Sequence, residues 1–125
     1  MVDFSGLEPN NREPVYIQIA SYIKKQILLG HIVDGDPMPS RREVAAALGI
    51  NPNTAQKAFR LMEEEGYVIT SGTSGSTVHI DNNILHRIES ELTREMAAEF
   101  IRAAKDINLS FKRVIDLISE MWDAE

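Results

Sequence analysis

The amino-acid sequence predicts a mainly α-helical protein with a small β-hairpin. A winged helix-turn-helix domain is expected over residues 10–80 and a two-helix tail over residues 81–125. Three observations predict this fold. Apolar residues recur at helical spacing in five segments, and a short turn containing Gly49 separates the second segment from the third. After the third segment, two β-branched runs flank a tip rich in Gly, Ser and Thr, which is typical of a hairpin.

The composition bounds the class of protein. The chain has 125 residues, 43% of them hydrophobic, which suits one compact domain or a small domain with an appendage. It has no cysteine, which fits a reducing cytoplasm. The amino-terminal stretch lacks the apolar core of a signal peptide, and no apolar run reaches the length of a membrane span. We therefore expect a cytoplasmic protein that does not enter a membrane.

The first helix is expected to begin at Pro14 and to stop at Gly30. Pro14 suits a first helical position, and apolar residues from Val15 to Ile27 recur on one face. Residues 1–13 are polar and punctuated by prolines and asparagines, so they are expected to form an arm or a loose lead-in.

The next two helices carry clear boundary signals. Ser40 and Glu43 form a capping box at the start of the second helix, and Gly49 ends it. Asn51 caps the third helix and Pro52 takes its first position, where no amide donor is needed. The acidic run at residues 63–65, just before Gly66, is interpreted as a solvated helix end.

The tail carries more apolar surface than it can bury alone. A long helix is expected from Asp81 and a final helix from Ser110, but so short a segment cannot build its own core. We predict symmetric dimerisation through the tail, with intramolecular packing on the first helix as the alternative. The expected dimer contacts are Ile84, Leu85, Ile88, Leu92, Met96, Phe100, Phe111, Ile115, Ile118 and Trp122.

The helix-turn-helix predicts a DNA interface, because its second helix places its first residues against base edges in the major groove. Amides of Asn and Gln pair with adenine, and Thr meets a thymine methyl group. Two arginines at the start of the second helix, where helix electrostatics disfavour cations, indicate contact with phosphate or a base. The expected DNA-binding residues are Arg41, Arg42, Asn51, Asn53, Thr54, Gln56, Lys57 and Arg60, with Thr73, Ser74 and Gly75 at the tip of the wing.

The charge distribution is compatible with this interface despite a net charge of −6. Residues 38–60 carry four bases and one acid, whereas residues 81–125 carry six bases and ten acids. Only a local positive footprint is needed for phosphate contact. The acidity therefore lies mostly in the tail.

The motifs P-x-Y-x-Q-I at residues 14–19, G-D-x-x-P-S-R at 35–41 and N-P-N-T-x-x-K-A at 51–58 resemble the DNA-binding domain of GntR-family transcription regulators. The short tail is similar to that of the YtrA-like subfamily. The resemblance covers residues 14–78 and implies that Arg42 contacts DNA, that Asn53 and Thr54 belong to the recognition helix, and that Gly75 is the wing glycine. Gly72 stands where the subfamily carries a wing arginine.

The resemblance and the residues together predict a homodimeric repressor that reads a palindromic operator in double-stranded DNA. No catalytic group, metal site or cofactor is expected, because the three histidines are isolated and no phosphate loop is present. The sequence does not decide whether a small-molecule effector binds. The alternative from another class is a winged-helix module for protein–protein contact, favoured by the net charge and the arginine-poor wing.

Overall fold

A computed structural model describes all 125 residues and confirms the predicted order of elements. The chain divides into two compact units, Met1–Ile88 and Glu89–Glu125. The elements are α1 (Val15–Leu28), α2 (Arg41–Leu48), α3 (Pro52–Glu65), β1 (Val68–Ser71), β2 (Gly75–Val78), α4 (Asn82–Asp106) and α5 (Phe111–Met121). This is a winged helix followed by two C-terminal helices, as the sequence predicts.

The core of the first unit is built around α3. Both α1 and α2 pack against it, and the fully buried side chains come from the apolar stripes of all three helices. Their largest members are Ile19, Ile23, Val44, Phe59 and Met62, joined by Tyr67 and the paired residues Val68 and Val78 of the hairpin. One face of α3 is therefore fixed by packing, which leaves its opposite face free.

The break between α2 and α3 is a helix end followed directly by a helix start. The Ser40 hydroxyl accepts the Glu43 amide at 3.1 Å, and the Glu43 carboxylate accepts the Ser40 amide at 3.1 Å. Gly49 ends α2 with φ of 64°, a left-handed conformation that costs glycine little. The Asn51 side chain then accepts the Asn53 amide at 2.8 Å, with Pro52 in the first position of α3. The predicted boundaries are confirmed.

The wing is a two-stranded antiparallel sheet with Val68 opposite Val78 at its base and Ser71 opposite Gly75 near its tip. Residues 35–38 run beside β2 and extend it. The Val78 amide donates to the carbonyl of Asp36 at 2.8 Å, and the Met38 amide donates to the carbonyl of Ser76 at 2.9 Å. The loop between α1 and α2 thus holds one side of the hairpin.

The expectation of a loose lead-in is wrong for the first residues of the chain. Val2 and Phe4 are buried, and the Phe4 ring centroid lies 5.7 Å from that of Tyr22. The Val2 amide donates to the carbonyl of Pro37 at 2.9 Å, and the Tyr22 hydroxyl donates to the carbonyl of Asp3 at 3.0 Å. Two apolar residues in a polar segment are enough to dock it, because the backbone polar groups beside them also find partners.

Both tail helices begin at a polar cap. The Asp81 carboxylate accepts the Ile84 amide at 2.8 Å, and this hydrogen bond holds the pKa of Asp81 below its usual value. Asn108, in the turn between α4 and α5, has φ of 58°, and the Ser110 hydroxyl accepts the Arg113 amide at 3.1 Å. No helix of the chain combines the length and the apolar character needed to cross a bilayer.

Candidate nucleic-acid interface

The first three turns of α3 present a polar face opposite a buried one. Ala55, Ala58, Phe59 and Met62 are completely buried, so the helical period places the intervening residues outward. The exposed or half-buried residues of this face, called here the reading face, are Asn53, Thr54, Gln56, Lys57 and Arg60. The structure thus gathers five of the predicted contacts on one side of one helix.

The reading face carries the groups that base edges and phosphates require. Asn53 and Gln56 offer amides with both a donor and an acceptor, which is the pattern that pairs with adenine in the major groove. Lys57 and Arg60 supply the positive charge, with the Lys57 ammonium 5.8 Å from the centroid of the Tyr16 ring. Asn51 differs from these residues, because its side-chain oxygen already caps α3.

The two adjacent arginines of α2 have different surroundings. Arg42 is exposed, and none of the ion pairs of the chain includes it. The Arg41 guanidinium forms a 2.6 Å ion pair with Glu63, and its central carbon lies 4.6 Å from the centroid of the Phe59 ring. Arg42 is therefore free to reach a phosphate, whereas Arg41 is held against α3.

The interpretation of residues 63–65 as a solvated helix end is wrong for two of the three acids. Glu63 accepts hydrogen bonds from Arg41 and from the Thr70 hydroxyl, the latter at 3.0 Å. Glu65 pairs at 2.8 Å with Lys24, a buried lysine of α1. Only Glu64 is exposed. The run therefore ties α3 to both α2 and α1, and its sequence gives no sign of which tertiary partner each acid meets.

The wing tip brings the remaining predicted contacts to an exposed turn. Thr73 and Ser74 lie in the turn, and Gly75 opens β2 with φ of 77°, which favours glycine. No Lys or Arg occurs in residues 67–78. Any wing contact with DNA therefore rests on hydroxyl groups and the backbone.

The predicted dimerisation residues separate into two groups. Ile84 and Ile88 are 6% and 2% exposed and pack inside the unit Met1–Ile88, so their assignment to a dimer contact is corrected. The reason is that the first turns of α4 lie against the end of α3. A Cβ atom placed on Gly66 would lie 3.7 Å from Cδ1 of Ile84, and the Arg87 guanidinium donates a hydrogen bond to the carbonyl of Glu65.

The other predicted dimer residues are accessible. Leu92 is half-buried. Phe111 and Trp122 are 82% and 76% exposed, and the remaining large exposed side chains are Leu85, Met96, Phe100, Ile115 and Ile118. Sequence reasoning did not include Ile101, Ile107 and Met121, which are also exposed. Phe111, Ile115, Ile118 and Trp122 recur at helical spacing along α5 and its C-cap, and an exposed apolar helix face of this kind is typical of an interaction surface.

Comparisons with known proteins agree with this geometry. Residues 15–78 match the gntR family of bacterial regulatory proteins. The uncharacterized HTH-type transcriptional regulator YhcF of Bacillus subtilis is 31% identical over 83% of this chain and 86% of its own length. The HTH-type transcriptional repressor YtrA of Bacillus subtilis is 29% identical over 92% of this chain and 89% of its own.

A solved structure shares the fold over nearly the whole length. A GntR family transcriptional regulator from Listeria monocytogenes superposes with a TM-score of 0.79 at 26% identity. The match covers 90% of this chain and 98% of the Listeria protein. The similarity therefore includes the helices that follow the wing.

Proposed function

The chain belongs to the GntR family of DNA-binding bacterial transcription regulators, close to YtrA and YhcF, and from this premise we propose that it is a homodimeric repressor. It reads a palindromic operator in the cytoplasm, with α3 in the major groove. The relative named a repressor, YtrA, aligns over 92% of this chain, which supports the proposed sign of regulation.

The reading face of α3 is the observation that carries the proposal. Its apolar side is fully buried, so the helix cannot turn its polar side inward without exposing Phe59 and Met62. Asn53, Thr54 and Gln56 stand where base edges are reached, and Arg42, Lys57 and Arg60 supply charge for phosphates. Such a rigidly held polar helix face distinguishes base pairs because wrong pairs leave its amides without partners.

Dimerisation is supported by the exposed apolar residues of the tail. Fully burying a completely exposed Phe or Leu side chain stabilises by about 1.5–3 kcal/mol, and the tail offers several side chains that are exposed in whole or in part, so their burial favours a symmetric interface. A two-fold dimer would present two copies of α3 to half-sites about 34 Å apart. Repression then follows from occupation of the operator, because a bound dimer excludes other proteins from the same DNA.

Replacement of Arg42 by glutamine tests the phosphate contact. We expect operator affinity to fall and the log–log slope of affinity against salt to become less steep by about 0.9 for each protomer, because one neutralised phosphate is lost. The measurement is a salt series of binding titrations. Arg102→Gln, at an exposed arginine of α4, removes the same charge outside the reading face and serves as the control. Equal salt slopes for Arg42→Gln and the unaltered chain would show that Arg42 does not contact a phosphate.

The second candidate function is a winged-helix module that binds another protein. The net charge of −6 and a wing without Lys or Arg favour it. The same salt series separates the two functions, because apolar protein contacts lack the steep dependence that counterion release gives to DNA binding.

A further inference from the structure

We propose that Arg41 is a positioning residue that sets the wing relative to α3, acting through Glu63, Thr70 and Ser76, and that it does not contact DNA itself. These four residues are called here the wing tether. The inference rests on the proposed DNA-binding function and assigns a role within it. It gives Arg41 a different role from Arg42, although the sequence alone predicts DNA contact for both.

The wing tether is a continuous chain of polar contacts across three parts of the fold. One carboxylate oxygen, Glu63 Oε1, accepts both from Arg41 Nη2 at 2.6 Å and from the Thr70 hydroxyl at 3.0 Å. The Thr70 and Ser76 hydroxyl oxygens lie 2.7 Å apart. Because Thr70 gives its single hydroxyl hydrogen to Glu63, Ser76 is the donor in the last link. The wing tether thus joins the start of α2, the end of α3 and both strands of the wing.

The surroundings of Arg41 hold its guanidinium in this arrangement. Its central carbon lies over the Phe59 ring, which is completely buried, and its Nε is buried with no hydrogen-bond partner. A buried donor without a partner is unfavourable, so the contacts with Glu63 and Phe59 must offset it. Turning Arg41 outward to a phosphate would give up both contacts and leave Glu63 without its cation.

The position of the tether in the hairpin explains what it controls. Thr70 and Ser76 are directly paired across β1 and β2, one step from the Ser71–Gly75 pair that closes onto the tip. Thr73 and Ser74 follow in the turn and carry no charge. A wing that meets DNA only through hydroxyl and backbone groups depends on their placement, since hydrogen bonds weaken steeply with misalignment. The tether supplies that placement from α3, the helix that reads the bases.

Two variants of the full chain test the tether without changing its net charge. Thr70→Val removes the hydroxyl link, and the double substitution Arg41→Gln with Glu63→Gln removes one charge of each sign. We expect each to weaken operator binding by about three- to tenfold, with the log–log salt slope unchanged. Hydroxyl-radical footprints should lose protection of the sugars under the wing and keep it under α3. Thermal melting identifies any variant that fails to fold. If one variant fails, the footprint and affinity of the other variant test the tether.

Arg41→Gln beside Arg42→Gln gives the sharpest contrast. A tether predicts that Arg41→Gln keeps the salt slope while losing wing protection, and that Arg42→Gln lowers the slope while keeping wing protection. The tether is overturned if Arg41→Gln lowers the slope as Arg42→Gln does, or if Thr70→Val leaves the wing footprint intact. Failure of the proposed function looks different: the unaltered chain would then show no salt-dependent footprint on any DNA.

Discussion

A chain ending at Ile88 is expected to be a monomer and to bind a palindromic operator at least about 100-fold more weakly than the full chain. The exposed apolar residues after Ile88 are lost, whereas Leu85 stays in the first unit together with Ile84 and Ile88, which are buried there. When two DNA-binding domains are linked in a dimer, binding of the second half-site is an intramolecular step. This linkage commonly raises the overall affinity by about 10²–10⁴-fold. Removal of the tail abolishes it without touching the reading face.

Point substitutions in the full chain make the same test without truncation. Phe111→Ser and Trp122→Ser remove two of the most exposed apolar side chains of the tail, and Val33→Ser removes an exposed apolar side chain from the first unit as the control. Sedimentation velocity gives the oligomeric state, and titrations with one or two half-sites give the avidity. A dimer that survives truncation at Ile88, or equal affinity for one and two half-sites, would contradict the proposed interface.

Asn53→Ala is expected to erase the preference for one base pair in each half-site, at a cost of about 1–3 kcal/mol for the preferred base. Asn53 is exposed in the first turn of α3, and its backbone amide is already held by Asn51, so the substitution leaves the helix cap intact. The loss should therefore appear in the identity of the DNA sequence bound and leave the melting temperature nearly unchanged.

The measurement is competition among operators that differ at single base pairs. Asn83→Ala, at an exposed asparagine of α4, removes the same side chain away from the reading face and should leave every preference unaltered. If Asn53→Ala also discriminates among all the operators as the unaltered chain does, Asn53 faces no base.

Local signals in the sequence were sufficient for the secondary structure of the winged helix. The cap of Ser40 and Glu43, the left-handed Gly49 and the Asn51-Pro52 start each act within a few residues, so each can be predicted from spacing. The reading face follows in the same way, because burial of Ala55, Ala58 and Phe59 fixes which residues of α3 point outward.

Tertiary partners could not be predicted in this way. Glu63 meets Arg41 across 22 positions of the sequence, and Lys24 meets Glu65 across the interface of α1 with α3. Val2 and Phe4 dock where Tyr22 and Pro37 happen to offer an apolar surface and hydrogen bonds. The helical period placed Ile84 and Ile88 with the other apolar residues of α4, but only folding shows that their side chains are already covered. A periodic pattern of apolar residues therefore predicts which face of a helix is apolar, but it does not predict which part of the protein packs against that face.

Selection of bound sequences from a random pool of double-stranded DNA tests the central claim most directly, since it reports half-site, spacing and symmetry together. The full chain is predicted to enrich an inverted repeat whose half-site centres lie about 34 Å apart, or about one helical turn. Enrichment of a single unpaired site would contradict the symmetric dimer. No enrichment of any sequence would contradict the assignment of α3 as a reader of DNA.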